Sequence, residues 1–180
     1  MADWPNDSMT QSKTIYLSLG SNLGDRAANI VRGLEVLEAA GVCITRRSSL
    51  YSTEPVGFTE QPWFLNCCVA AEISLLPLQL FHLTQSVQHQ LGRHLRFDKG
   101  PRTLDIDILF YASATIRSRD LVIPHPHLAQ RRFVLVPLAE IAPFLHHPLL
   151  RHTIAELLAE APDRNRVVRW QGHPSPTNKE

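Results

Sequence analysis

The chain has little of what marks a protein for an unusual environment. Across 180 residues, 18 Lys and Arg stand against 17 Asp and Glu, leaving a formal net charge of +1. No bulk basic field exists to gather a polyanion, so nucleic acid is not expected as a partner. Any anion site has to be a local cluster of arginines. Cysteine is scarce and odd in number, at Cys43, Cys67 and Cys68. The adjacent pair, in an apolar strand-like run, is a poor match to the geometry of a bridge, so these thiols read as small buried hydrophobes in a reducing compartment. No apolar run approaches the ~20 residues of a membrane-spanning helix. The opening MADWPNDSMTQSK lacks the basic-then-apolar pattern of a signal peptide. No membrane partner is expected, and the expected location is the cytoplasm. Repeats and low-complexity linkers are missing too, which predicts one domain over residues 14–170 with loose tails at 1–13 and 171–180.

What is present is ordinary in bulk, 44% hydrophobic and 19% charged, and informative in pattern. TIYLSL alternates Ile15, Leu17 and Leu19 against Tyr16 and Ser18, a strand. A helix follows from about Asp25 to Ala40, with Ile30, Val31, Leu34 and Leu37 inward and Gly41 as its stop. Residues 42–52 read as a second strand, and Pro55, Gly57 and Pro62 punctuate a loop after it. FLNCCVAAEI is a third strand, with Phe64 and Asn66 on one face and Leu65, Cys67 and Val69 on the other. Pro77 opens a second helix, where its missing N–H is harmless, and Gly92 ends it. RHLRFDKGPR is a basic loop and TLDIDILFY a fourth strand. Strand, helix, strand, strand, helix, strand predicts the α+β class, a ferredoxin-like antiparallel sheet with its two helices on one face. A short hairpin to Ile123, a helical FVLVPLAEIAP and a last helix from Thr153 to Ala161 form a C-terminal helical extension.

Four places could carry chemistry. Asp105 and Asp107 lie on one face of the fourth strand, with Leu104, Ile106 and Ile108 on the other. Two carboxylates so placed fit a solvated acidic face. Equally, with Arg93, Arg96, Lys99 and Arg102 close by in sequence, they fit magnesium bound to phosphates. GSNLGD, between a strand and a helix, lacks the lysine and hydroxyl residue that end a phosphate loop, so a tight capping turn is expected. Phe64 beside Asn66 suits either a flat heterocycle or a plain core pair. His125 and His127 are too few for zinc, and with Arg131 and Arg132 they suit a nucleotide contact or a surface turn.

Taken together, LSLGSNLGD, YSTEPVG with QPWFLN, LGR, GPRTLDIDIL and IPHPHLAQRRFVLVPLAEIAP occur in an order that resembles the 6-hydroxymethyl-7,8-dihydropterin pyrophosphokinases of the folate pathway, over residues 14–160. The resemblance implies transfer of a pyrophosphoryl group from ATP to the hydroxymethyl oxygen of the reduced pterin, releasing AMP. It implies that Asp105 and Asp107 hold two Mg2+ ions, and that Arg93 and Arg102 close over the triphosphate. By the same resemblance Phe64 and Phe133 sandwich the pterin, Asn66 and Asp105 face it, and Thr53 and Val56 line its pocket. Gln85, Arg96, Ile108, His125 and Arg131 match nucleotide contacts. Gln88 stands where the family usually has glutamate, and Lys99 where tryptophan or arginine commonly precedes Gly-Pro-Arg. A monomer is expected, with loops at 54–63 and 93–101 acting as lids. Two other classes stay open: a protein that binds both ligands without turnover, and an RNA-binding sheet, which the acidic pair beside Phe64 opposes.

Overall fold

In a computed structural model of the chain, residues 11–57, 59–92 and 100–172 are described. The apolar alternation of the first segment builds β1 (Lys13–Ser21), and Asp25 caps the following α1 (Arg26–Ala39) by accepting from the Ala28 amide. Gly41, at φ +91°, lets the chain turn out of α1. Next come β2 (Cys43–Arg47), β3 (Tyr51–Thr53), β4 (Phe64–Ile73) and α2 (Pro77–Gln90). β5 (Asp105–Tyr111), the short pair β6 (Ile116–Arg117) and β7 (Val122–Ile123), α3 (Arg132–Ile141), α4 (Ile154–Glu160) and β8 (Val167–Arg169) complete the chain.

β1 lies between β5 and β4, and both β2 and β3 pair along the outer edge of β4, all antiparallel. This is the ferredoxin-like order, with the predicted second strand divided in two. Ser48 makes the division: its amide donates to the Cys68 carbonyl and its hydroxyl accepts the Cys68 amide, both at 2.9 Å. A side chain thus replaces one rung of the ladder. β8 was not anticipated from the sequence. It adds to β3, with Tyr51 opposite Arg169 and Thr53 opposite Val167.

On one face of the sheet, Ile15, Leu17, Leu19, Leu65, Cys67, Val69, Ile106 and Ile108 pack against Ile30, Leu34 and Leu37 of α1 and Leu80 and Val87 of α2. Val31 differs from expectation and is 38% exposed. The other face is not left bare, as helices on one face alone would have required. Cys68, Ala70, Leu109 and Phe110 pack there against Val134, Leu135 and Leu138 of α3 and Ile154 and Leu157 of α4. Each fully buried large side chain stabilises by about 1.5–3 kcal/mol.

A bulge in β5 makes this second core. Tyr16 opposes Phe110 while Leu17 opposes Ile108, so Leu109 is an extra residue. Leu109 and Phe110 therefore join the same core although they are adjacent in sequence.

Candidate active site

Three rows of side chains cross the sheet face that carries α3 and α4. The innermost row is apolar, with Tyr16 between Ala70 and Phe110. In the next, Ser18 lies between Cys68 and Asp107, and in the outermost Gly20 lies between Asn66 and Asp105. Polarity rises from one end of the same strands to the other. The outer rows open into a cavity of about 420 Å³.

Thr53, Val56, Phe64, Asn66, Gln85, Arg102, Asp105, Asp107, His125, Arg131 and Phe133 all line that cavity. A neighbouring hollow of about 250 Å³ has Ile108 in its wall and shares Gln85, Asp107 and His125. Arg93, Arg96 and Lys99 lie outside the described residues. Gln88 is in neither wall: it is 1% exposed, and its amide donates to the Thr84 carbonyl at 2.9 Å. A neutral amide suits that buried helical position, because it carries no charge to desolvate.

Asn66 has a fixed orientation. Its amide nitrogen donates to Thr53 Oγ1 at 2.7 Å, and its Oδ1 is turned to Gly20, where a Cβ would overlap it. Glycine at this position is a matter of room. The aromatic walls come from different elements: Phe64 opens β4, opposite Thr53 of β3, and Phe133 stands in the first turn of α3. The Arg131 guanidinium lies 5.7 Å from the Phe133 ring centroid.

Each aspartate faces a cation. Arg102 Nη1 donates to Asp105 Oδ2 at 2.6 Å, and Arg131 Nη1 lies 3.7 Å from Asp107 Oδ2. His125 Nε2 is 4.0 Å from the same Asp107 oxygen. Burial above all, then the Arg131 and His127 charges, lowers His125 to about 4, although Asp105 pulls the other way. The ring is neutral at pH 7, and its approach to Asp107 is not an ion pair. Its Nδ1 accepts the His127 amide at 3.2 Å, which leaves the ring proton on Nε2, facing the acidic pair.

Asn22, 2% exposed, was not singled out from the sequence. Its amide nitrogen donates to Gln61 Oε1 at 3.0 Å and to the Pro62 carbonyl at 3.1 Å. Its Oδ1 accepts the Arg102 amide at 2.8 Å, and its own amide donates to the Arg102 carbonyl at 3.1 Å. The GSNLGD turn is thus a capping turn, as expected, and also a tie between the two segments on either side of the cavity. The 54–63 loop is pinned at its near end by reciprocal bonds between Glu54 and Arg166. At its far end Arg26 donates to the Trp63 carbonyl at 2.7 Å. Gly20 had a local signal, since a glycine inside a strand marks close approach. Asn22 had none, because all its partners are distant in sequence.

Among the described residues no three His, Cys, Asp or Glu side chains are placed to hold a metal ion by themselves. A cation here would take two carboxylates from the protein and its remaining ligands from elsewhere. That donor set is wrong for structural zinc and right for magnesium, which keeps waters and takes phosphate oxygens.

Comparison with known proteins finds a family of phosphoryl-group transfer enzymes. A family described as 7,8-dihydro-6-hydroxymethylpterin-pyrophosphokinase matches residues 16–143. The 2-amino-4-hydroxy-6-hydroxymethyldihydropteridine pyrophosphokinase of Methylorubrum extorquens is 44% identical over 146 residues, covering 81% of this chain and 91% of that protein. Its Bacillus subtilis counterpart is 44% identical over 127 residues, covering 70% and 76%. The folic acid synthesis protein fol1 of Pneumocystis carinii is 38% identical over 160 residues, 89% of this chain, which spans only 22% of that longer protein. The crystal structure of wild-type Plasmodium falciparum HPPK-DHPS superposes with a TM-score of 0.67, covering 83% of this chain and 45% of that one. At 16% identity it speaks to the fold alone.

Proposed function

The chain belongs to the 7,8-dihydro-6-hydroxymethylpterin-pyrophosphokinase family, and we propose that its reaction runs on the cavity just described. That reaction is pyrophosphoryl transfer from ATP to the hydroxymethyl group of 6-hydroxymethyl-7,8-dihydropterin in folate synthesis. The observation that carries the assignment is the outer row, Asn66, Gly20 and Asp105. It sets a fixed amide and a carboxylate side by side, with only glycine between them.

Phe64 and Phe133 offer flat faces to the pterin ring, Asn66 and Thr53 read its polar edge, and Val56 closes the slot. Asp105 faces the hydroxymethyl group. Gln85, Ile108, His125 and Arg131 receive the nucleotide, and by the family resemblance Arg93 and Arg96 add to them. Asp105 and Asp107 would hold magnesium, two ions in this reading. Arg102 and Arg131 set a positive group against each carboxylate, so both guanidinium groups would have to turn from the aspartates, toward phosphate, as a cation binds. Magnesium bound there supplies neutralisation of the phosphate charge and polarises the oxygens it touches.

The chain's own part is alignment and charge. A loose transition state asks for in-line placement more than for a strong base, and none is needed beside the two carboxylates. Arg102 exchanges Asp105 for phosphate oxygens as charge develops, and neutral His125 offers an Nε2–H donor without adding a competing cation. Asn22 ties the 54–63 segment to Arg102, so ordering of the ATP side reaches the pterin side. ATP should accordingly bind first and raise pterin affinity.

One domain over residues 14–170 is the simplest reading, because one sheet carries both cores. Among the described residues no helix is long and apolar enough to cross a membrane. The free thiols Cys67 and Cys68 suit a reducing cytoplasm. Incubation with ATP, magnesium and 6-hydroxymethyl-7,8-dihydropterin tests the reading. AMP and the pterin diphosphate are expected; ADP would mean a simple kinase, and no turnover a binder.

A further inference from the structure

Glu140, the one carboxylate of α3, stands in its last turn and accepts three hydrogen bonds. Its Oε2 accepts the Ser49 amide at 2.9 Å and the Tyr51 hydroxyl at 2.8 Å, and its Oε1 accepts the Ser49 hydroxyl at 2.8 Å. Arg169 of β8 stands 4.0 Å from Oε1. Burial works to raise this carboxyl. The bonds from Ser49 and Tyr51, with the Arg169 charge, outweigh burial and hold it below the usual carboxylate range.

The strand so gripped is short. β3 has three residues, Tyr51 to Thr53, and its last residue is the one whose hydroxyl accepts from Asn66. Tyr51 opposes Asn66 and Thr53 opposes Phe64, so a shift of β3 moves Thr53 against the Asn66 amide and the Phe64 ring. The opposite wall, Phe133, rides on the helix that carries Glu140. That helix contains Pro137, whose ring nitrogen cannot donate to the Phe133 carbonyl, so the two ends of α3 are joined by one bond fewer. The β3 route is therefore the more direct one.

We propose that Glu140 is a positioning residue for the heterocycle slot: it fixes β3 against α3, and so sets how Thr53 and Asn66 meet the ring between Phe64 and Phe133. The proposal rests on the pterin reading above, and the two can fail separately. Release of AMP by the wild type tests that reading.

The variants Glu140→Ala, Glu140→Gln and Tyr51→Phe test the positioning role by separate KM values for pterin and ATP and by thermal melting. Glu140→Ala should raise the pterin KM about tenfold while the ATP KM stays within about twofold, as misplacement of one wall predicts. Glu140→Gln keeps one acceptor oxygen and should recover part of the loss. Tyr51→Phe, which removes a single bond, should give a smaller rise of the same kind, and it decides the matter if Glu140→Ala does not fold. Equal changes in both KM values, or an unchanged pterin KM in a folded variant, would overturn the proposal.

Discussion

The sheet face beneath α3 has two halves built from the same three strands, and they differ in almost everything else. Toward one end, Tyr16, Ala70 and Phe110 meet α3 and α4 in a dry core, and Phe110 packs edge-on against Tyr16 at 6.1 Å between centroids. Toward the other, Ser18, Gly20, Asn66, Asp105 and Asp107 line an open cavity. The change falls at the β5 bulge, immediately after Asp107 and Ile108. The same three strands run through both halves, with β1–β4 pairing unbroken and β1–β5 pairing shifted by one residue, so strand order does not separate the cavity region from the core. Side-chain size and the reach of two short helices do. The dry half lets the wet half hold half-buried charges on a rigid frame, with side chains of Asp105 and Asp107 only 23% and 32% exposed.

If that division is right, damage to the two halves should show in different measurements. Asp107→Ala should lower the rate of AMP release by about a thousandfold. It should melt close to the wild type, since the Arg131 contact it loses is long and part-exposed and contributes little. A folded variant with near-normal turnover would remove the metal assignment. In the dry half, Phe110→Ala should cost about 3–5 kcal/mol in urea unfolding. The molecules still folded should turn over at close to the normal rate. Loss of turnover without loss of stability would erase the boundary between the halves.

Arg102→Ala should lower kcat by about a hundredfold and change the pterin KM little, because the guanidinium matters most as charge develops. A raised pterin KM with normal kcat would make Arg102 a binding group only. The smallest effect concerns the thiols. Burial pushes Cys67 up to about 12 and Cys68 well above its ordinary value, whereas Cys43 is exposed. An alkylating reagent at pH 8 should label Cys43 alone in the folded protein and all three in urea. Labelling of Cys68 in the native state would show that the dry half opens.

Much of this could be read directly from the residues. α1 sits within a residue of its expected bounds, with Asp25 as cap and Gly41 as stop, because caps and apolar period act over one or two turns. The shared face of Asp105 and Asp107 follows from strand alternation alone. Phe64 with Asn66 follows likewise, and both pairs open into one cavity. What escaped needs a second segment to exist. The bulge at Leu109 depends on β1 as partner, since a single strand's pattern cannot show which neighbour it skips. The division of residues 42–52 depends on the Ser48 hydroxyl meeting Cys68. β8 depends on an exposed edge of β3 that no local signal announces.

By itself, then, the sequence determined the order of most elements and which side chains point together along a strand. Those are properties of neighbours in the chain, governed by propensity, capping and periodicity. Only the tertiary structure decided that Asn66 and Asp105 flank one glycine, that Asn22 joins the segments on both sides of the cavity, and that Glu140 grips β3. Each of these is a contact between residues tens of positions apart. Contact at that distance is set by packing of the whole sheet, which no local preference encodes.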